Sequence, residues 1–215
     1  MNKCCLCSKI GAGDNQERWD EPLFSSANFI SLPSIGSLVE GWLLIIPKEH
    51  FLSFGAMPLH LANDLATFRA LVADYLERKY GSLCAFEHGP SRLTRQIGCG
   101  VDHAHLHLVP INFDLISAAH PFLPRNLVWK DSNLDECRSA FVKGLDYLYV
   151  EQPLGHGRIA VHEEFGSQVF RKAIASHLQI PDQYSWREYP QFENIARTIN
   201  ILRVAEAART NNAAK

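Results

Sequence analysis

His103, His105 and His107 alternate with Ala104, Leu106 and Leu108, and no other stretch of the chain concentrates so much chemistry. In a strand, side chains alternate between faces, so three imidazoles at i, i+2 and i+4 stand in a row while the apolar residues between them turn to the core. Each ring brings polar nitrogens that need partners. A row of three therefore reads as a catalytic or metal-binding array rather than as packing. A second cluster opens the chain, where Cys4-x-x-Cys7 has the spacing of two thiolate ligands to zinc. Tetrahedral zinc needs four ligands, and no second Cys-x-x-Cys exists, so histidines brought near by the fold would complete the set. His50 is one candidate. Cys5 falls in the same run and leaves the identity of the ligating pair open.

The elements that must position these residues follow from periodicity and breakers. Phe24 to Leu32 reads as short extended pieces around Ala27-Asn28, and Gly41 to Pro47 as a buried strand closed by its proline. Leu61, Leu65, Phe68, Leu71, Val72, Tyr75 and Leu76 recur at helical spacing, predicting a helix over Leu59 to Tyr80 that ends at Gly81. Leu83 to Glu87 and Ala104 to Ile111 are further strands, joined by an Arg-bearing loop. Beyond Phe113 the pattern predicts a helix over Leu134 to Leu148, strands at Tyr147 to Val150 and Arg158 to Val161 paired across Gly155 and Gly157, a helix started by Ser167 and running to Leu178, and a last helix over Glu193 to Ala208. The fold class is α+β with a largely antiparallel sheet.

Three segments in order, Cys4-x-x-Cys7, Gly41-Trp-Leu-Leu-Ile-Ile-Pro-Lys-Glu-His50 and His103-Ala-His-Leu-His-Leu-Val109, resemble the zinc-containing members of the histidine triad superfamily of nucleotide hydrolases and transferases. The resemblance spans roughly residues 4 to 111 and implies a five-stranded antiparallel sheet with one long helix. It makes residues 1–111 a histidine triad-like domain with an N-terminal zinc knuckle, and residues 112–215 an α/β extension packed on it. It implies a structural zinc held by Cys4, Cys7, His50 and His103, with no open position for activated water. His105 would attack the α-phosphorus of a nucleotide, and His107 would hold phosphate oxygens and share in proton transfer. The Gly98-Cys99-Gly100 turn would offer backbone N–H groups to the same oxygens. A homodimer through the long helix and the sheet edge is a further implication.

The chain departs from the family where it would grip the nucleotide. Gly98-Cys99-Gly100 stands for a Gly-Gln-Ser-like tripeptide, Phe86-Glu87-His88-Gly89 where an Asn is usual, Ser34 for a ribose-binding acid, and Pro110-Ile111 for Pro-Arg. Arg92 and Arg95 are candidates to replace the lost phosphate contacts. In the extension, Ser167 to Arg171 and Tyr184 to Arg187 look like a segment of CwfJ-type splicing and RNA-debranching-associated proteins. Arg171 and Arg187 there are candidates for a phosphate contact, with surface salt bridges the weightier reading, and His156 and His162 read as structural or surface residues.

Composition bounds the alternatives. The 215 residues are 47% hydrophobic and 20% charged, with a net charge of −2 and no basic run, which excludes the broad footprint of a duplex-binding protein. Trp42 to Ile46, the longest strongly apolar run, is too short to span a bilayer, and no signal peptide is apparent, so a cytoplasmic protein is expected. Two other readings compete: a silent module that binds nucleotides or RNA ends, and an open zinc site built from His103, His105 and His107 or His50.

Overall fold

The computed structural model describes residues 4–11, 17, 19–93, 100–153 and 155–213, with side chains as far as Val204. The expected turn at Gly98 and Cys99, and Arg95, lie outside the described residues.

The strands are β1 (Phe24–Ser25), β2 (Phe29–Pro33), β3 (Leu43–Pro47), β4 (Cys84–Gly89), β5 (Leu106–Val109), β6 (Lys130–Asp131), β7 (Tyr147–Glu151) and β8 (Gly157–Val161). They form one sheet in the order β1-β2-β3-β5-β4-β7-β8-β6, antiparallel at every pairing. The expected five-stranded sheet is thus corrected to eight strands. The first five are those the sequence pattern marks; the extension then pairs β7 along β4, with Phe86 opposite Val150. An open β4 edge would expose unpaired backbone N–H and C=O groups, and β7 satisfies them within the chain.

The helices are α1 (Cys5–Ile10), α2 (Ala62–Tyr80), α3 (Leu115–Ala119), α4 (Cys137–Val142), α5 (Val169–His177) and α6 (Phe192–Ala213). Helix α2 buries Leu65, Phe68, Val72 and Leu76, while Leu71 stays outside; Gly81 ends it at φ +83° with its N–H on the Glu77 carbonyl. The long helix expected over Leu134 to Leu148 is instead a 3-10 turn, the short α4 and then β7, because Gly144 takes φ +69° and turns the chain. Helix α5 begins after Gln168, in a left-handed conformation, rather than at Ser167.

Two cores form on opposite faces of the sheet. Leu43, Ile45, Ala85, Leu106, Leu108, Tyr147 and Tyr149 pack beneath α2 and α4. Trp42, Cys84, Phe86, Val109, Leu148 and Val150 pack beneath α3 and α5. On this second face, over β2 and β3, α1 adds Leu6 against Ile30, Leu32 and Ile46. No helix among the described residues is long and apolar enough to cross a membrane.

Candidate active site and metal centre

Cys4 caps α1 and Cys7 lies one turn later, so their thiols share a face of the helix. His50 follows β3 directly, and His103 sits just before β5 with its ring fully buried. The fold brings these four together, with their ligand atoms all within 4.8 Å of one another. Cys4 Sγ lies 3.5 Å and Cys7 Sγ 3.4 Å from His103 Nδ1, and Cys7 Sγ lies 3.2 Å from His50 Nδ1. An S–N edge of a tetrahedral zinc site measures about 3.6 Å from standard bond lengths, so the donor set fits that ion.

His103 Nε2 donates to the Pro47 carbonyl at 2.8 Å. A carbonyl only accepts, so the proton sits on Nε2 and the Nδ1 lone pair faces the thiols, as a ligand orientated by its outer partner would. Burial lowers the His103 pKa to about 4 and keeps the ring neutral. Burial, then the neighbouring Cys4 thiol, raises the pKa of Cys7, a crowding that a bound cation would relieve. Cys5 is exposed and stands outside this group, which resolves the choice left open by spacing.

His103 and His105 precede the ladder of β5, which is shorter than expected, yet the alternation holds: Ala104, Leu106 and Leu108 enter the α2-side core and the histidines face the other way. His105 Nδ1 donates to the His103 carbonyl at 2.6 Å, which leaves the Nε2 lone pair as the basic nitrogen. His107 is fixed differently. The Trp42 indole donates to His107 Nδ1 at 2.9 Å, so its proton resides on Nε2. Its ring stacks on Phe86 at 4.3 Å, and burial with the adjacent His105 holds its pKa well below the usual value.

His105 and His107 line a cavity of about 160 Å³ on the second face of the sheet. Cys5, Leu6 and Lys9 of α1 line it, Leu32, Ser34, Ile35 and Leu44 contribute apolar surface with one hydroxyl, and Val101, Trp186 and Asp20, ion-paired with Lys9, complete the lining. Ser34 is buried in this wall. Gly100 is exposed beside Val101. Arg92 lies against Gly144 and is not among the lining residues. The Cys/His and triad clusters thus share His103 as a hinge, and His105 and His107 stand outside the four-ligand group, against the open-metal reading.

Five residues of this region were given no settled part in the site by the sequence. Trp42 looked like plain core in an apolar run. Phe86 stands opposite His107 in the β4–β5 register, and His88, two residues on, shares its face with Nε2 buried and unpartnered. Trp186 comes from the extension, far away in sequence. Arg171, expected at the surface, is buried, donating to the carbonyls of Tyr184 and Gly36.

No known family model matches the chain. It is 27% identical over 170 residues to zinc finger CCCH domain-containing protein 59 of Oryza sativa subsp. japonica, a match covering 71% of this chain and 26% of that protein. It is likewise 27% identical over 175 residues to zinc finger CCCH domain-containing protein 64 of Arabidopsis thaliana, covering 74% and 28%. The chain therefore spans about a quarter of the length of these relatives. Among solved structures, a histidine triad nucleotide-binding protein of Sulfolobus tokodaii aligns at TM-score 0.41 and 23% identity, over 50% of this chain and 68% of that one. A Hit-like protein of Bartonella henselae described as involved in cell-cycle regulation aligns at TM-score 0.41 and 15% identity, over 67% and 98%.

Proposed function

We propose that this protein cleaves a nucleotide at its α-phosphorus through a nucleotidyl-histidine formed on His105. The observation that carries this reading is the 2.6 Å bond from His105 Nδ1 to the His103 carbonyl, which leaves the Nε2 lone pair as the nucleophile of a ring that lines the cavity. As Nε2 bonds to phosphorus, the ring becomes cationic, and the carbonyl accepting from Nδ1–H stabilises that charge. The bond from phosphorus to the leaving group breaks with its electron pair. Water then attacks phosphorus, the P–N bond breaks, and the water's proton passes to solvent.

His107 has a narrower part than proton transfer. With Nδ1 occupied by the Trp42 N–H, a neutral ring has only its Nε2–H to offer, and giving that up would leave an imidazolate. His107 therefore donates a hydrogen bond to a phosphate oxygen without passing on its proton. The apolar wall of Leu32, Ile35 and Leu44 suits a nucleobase, and Ser34 a ribose hydroxyl. Zinc, when bound by Cys4, Cys7, His50 and His103, would supply a structural cross-link between α1, the end of β3 and the start of β5, with no open position for water.

The test is turnover of a panel of dinucleoside polyphosphates and nucleoside phosphoramidates by wild type and His105→Ala. Release of a nucleoside monophosphate, lowered about a hundredfold or more in the variant, is the expected result. No turnover of any compound by the wild-type chain, with nucleotide binding retained, would favour the silent binding module instead.

A further inference from the structure

The segment after α5 carries two side chains that the resemblance leaves without a role. Trp186 lines the cavity. The Arg187 guanidinium sits 4.3 Å from the Trp186 ring centroid, and its Nη2 lies 3.4 Å from where a side chain on Gly100 would begin. The cation, exposed and just outside the cavity lining, thus lies between Trp186 and Gly100, beside the backbone that leads through Val101 to the histidines.

This placement is built, not incidental to a loose loop. Arg171, buried on α5, donates to the carbonyls of both Tyr184 and Gly36, tying the segment to the turn after β2. The Gly36 N–H donates to the Pro190 carbonyl at 2.7 Å, and the Asn194 side chain to the Ser37 carbonyl at 2.8 Å. Gly36 itself, at φ +76°, passes so close that a Cβ would meet the Cβ of Trp186 at 2.7 Å. Trp186 is therefore held at a fixed position relative to Ser34, His105 and His107, and the exposed Arg187 is placed by its contact with the Trp186 ring.

The chemistry at phosphorus says what such a cation would meet. His107 cannot give up its proton, so a leaving group must depart without one from that residue. An amine or alkoxide departs poorly in that way, whereas a phosphate departs as a stable anion and is drawn to a guanidinium. We propose that Trp186 and Arg187 form a subsite for an anionic leaving group, so that the scissile bond is a phosphoanhydride. Trp186 walls the nucleoside, and Arg187 binds the phosphate next to the one that His105 attacks. In the step, the Nε2–P bond forms, the bond from phosphorus to the bridging oxygen breaks, and the electron pair leaves on the departing phosphate, with no proton required.

The inference rests on the nucleotide reading above, and binding measurements keep the two separable. AMP and ADP, the latter as its uncleavable α,β-methylene analogue, are titrated calorimetrically into wild type, Arg187→Ala, Arg187→Lys and Trp186→Ala, with thermal unfolding as the folding control. ADP carries the extra phosphate that Arg187 would hold. Wild type is expected to bind ADP about tenfold or more tighter than AMP. Arg187→Ala should erase that difference while leaving AMP within about twofold, Arg187→Lys should keep part of it, and Trp186→Ala should weaken both nucleotides alike. An unchanged ADP preference in Arg187→Ala, or an equal loss for both nucleotides, would overturn the subsite while leaving the nucleotide reading intact. Failure of wild type to bind either nucleotide would sink both.

Discussion

The indole N–H of Trp42 donates to Nδ1 of His107 across 2.9 Å, with both rings buried in the sheet. Trp42 leads into β3 and His107 lies on the neighbouring β5, so the bond crosses between two strands and fixes which nitrogen of His107 carries the proton. Trp42→Phe keeps a flat apolar ring but removes the donor. His107 can then take the other tautomer, which turns a lone pair toward the phosphate oxygens. The expected outcome is a fall in kcat of at least about tenfold with KM changed far less. Equal kcat in steady-state assays of the variant would show that the tautomer has no part in turnover.

The metal centre predicts a stability effect separable from catalysis. Protein purified without chelator should carry about one zinc per chain by elemental analysis. Cys7→Ser or exhaustive chelation should lower Tm by roughly 5–15 °C, since a few kcal/mol translate to that range in a chain of this size. Nucleotide affinity should fall too, because Cys5, Leu6 and Lys9 of α1 wall the cavity. A reduced, metal-free chain that melts at the same temperature as the holoprotein would remove zinc from the account.

How much of this was legible in the sequence depended on whether a feature was local. The three histidines, the Cys-x-x-Cys and the helix around Leu65, Phe68, Val72 and Leu76 announce themselves by short-range spacing; the helix forms there, and the histidines keep their alternation although His103 and His105 precede β5. The Tyr147 and Arg158 strands were legible for the same reason. What spacing cannot supply is register between strands distant in sequence. Nothing in Cys84–Gly89 says that Phe86 will lie opposite His107, or that β7 will continue the sheet beyond β4. The helix expected through Leu145 failed because apolar residues at helical spacing there are also compatible with a turn into a strand, and Gly144 decides between them. Trp186 reaches the cavity through long-range anchoring such as that by Arg171, a contact between residues 135 positions apart.

The pairing of β7 with β4 predicts the assembly state. That edge, which a five-stranded sheet would leave open for a second copy, is hydrogen-bonded over Ala85 to Gly89 by the chain's own extension. The protein should therefore run as a monomer by light scattering at micromolar concentration, against the homodimer that the resemblance implies. A stable dimer with β4 and β7 still paired would place the contact elsewhere, and a dimer lost on substituting exposed residues of α2 would reinstate the expected mode.

Glu87 and His88 are neighbours on β4 that face opposite sides of the sheet and should titrate with opposite consequences. Glu87 accepts from the Phe54 N–H and the Tyr147 hydroxyl, and burial raises its pKa to about 7 from 4.5. His88 packs against Phe86 and Phe170, and burial lowers its pKa to about 3 from 6.5. Between pH 4.5 and 7 the folded state holds the Glu87 proton more tightly than the unfolded chain does. Its contribution is thus fully present below pH 4.5 and lost as pH rises through 7. For His88 the unfolded chain takes up the proton first, so its contribution is present above pH 6.5 and lost as pH falls toward 3. Glu87→Gln should therefore gain stability relative to wild type as pH rises from 5 to 8, and His88→Leu should gain relative to wild type as pH falls from 7 to 4. Denaturant unfolding of the three proteins at pH 4, 5, 7 and 8 reads both differences. Parallel stability curves for wild type and either variant would mean that the corresponding group is not held in its neutral form by the fold.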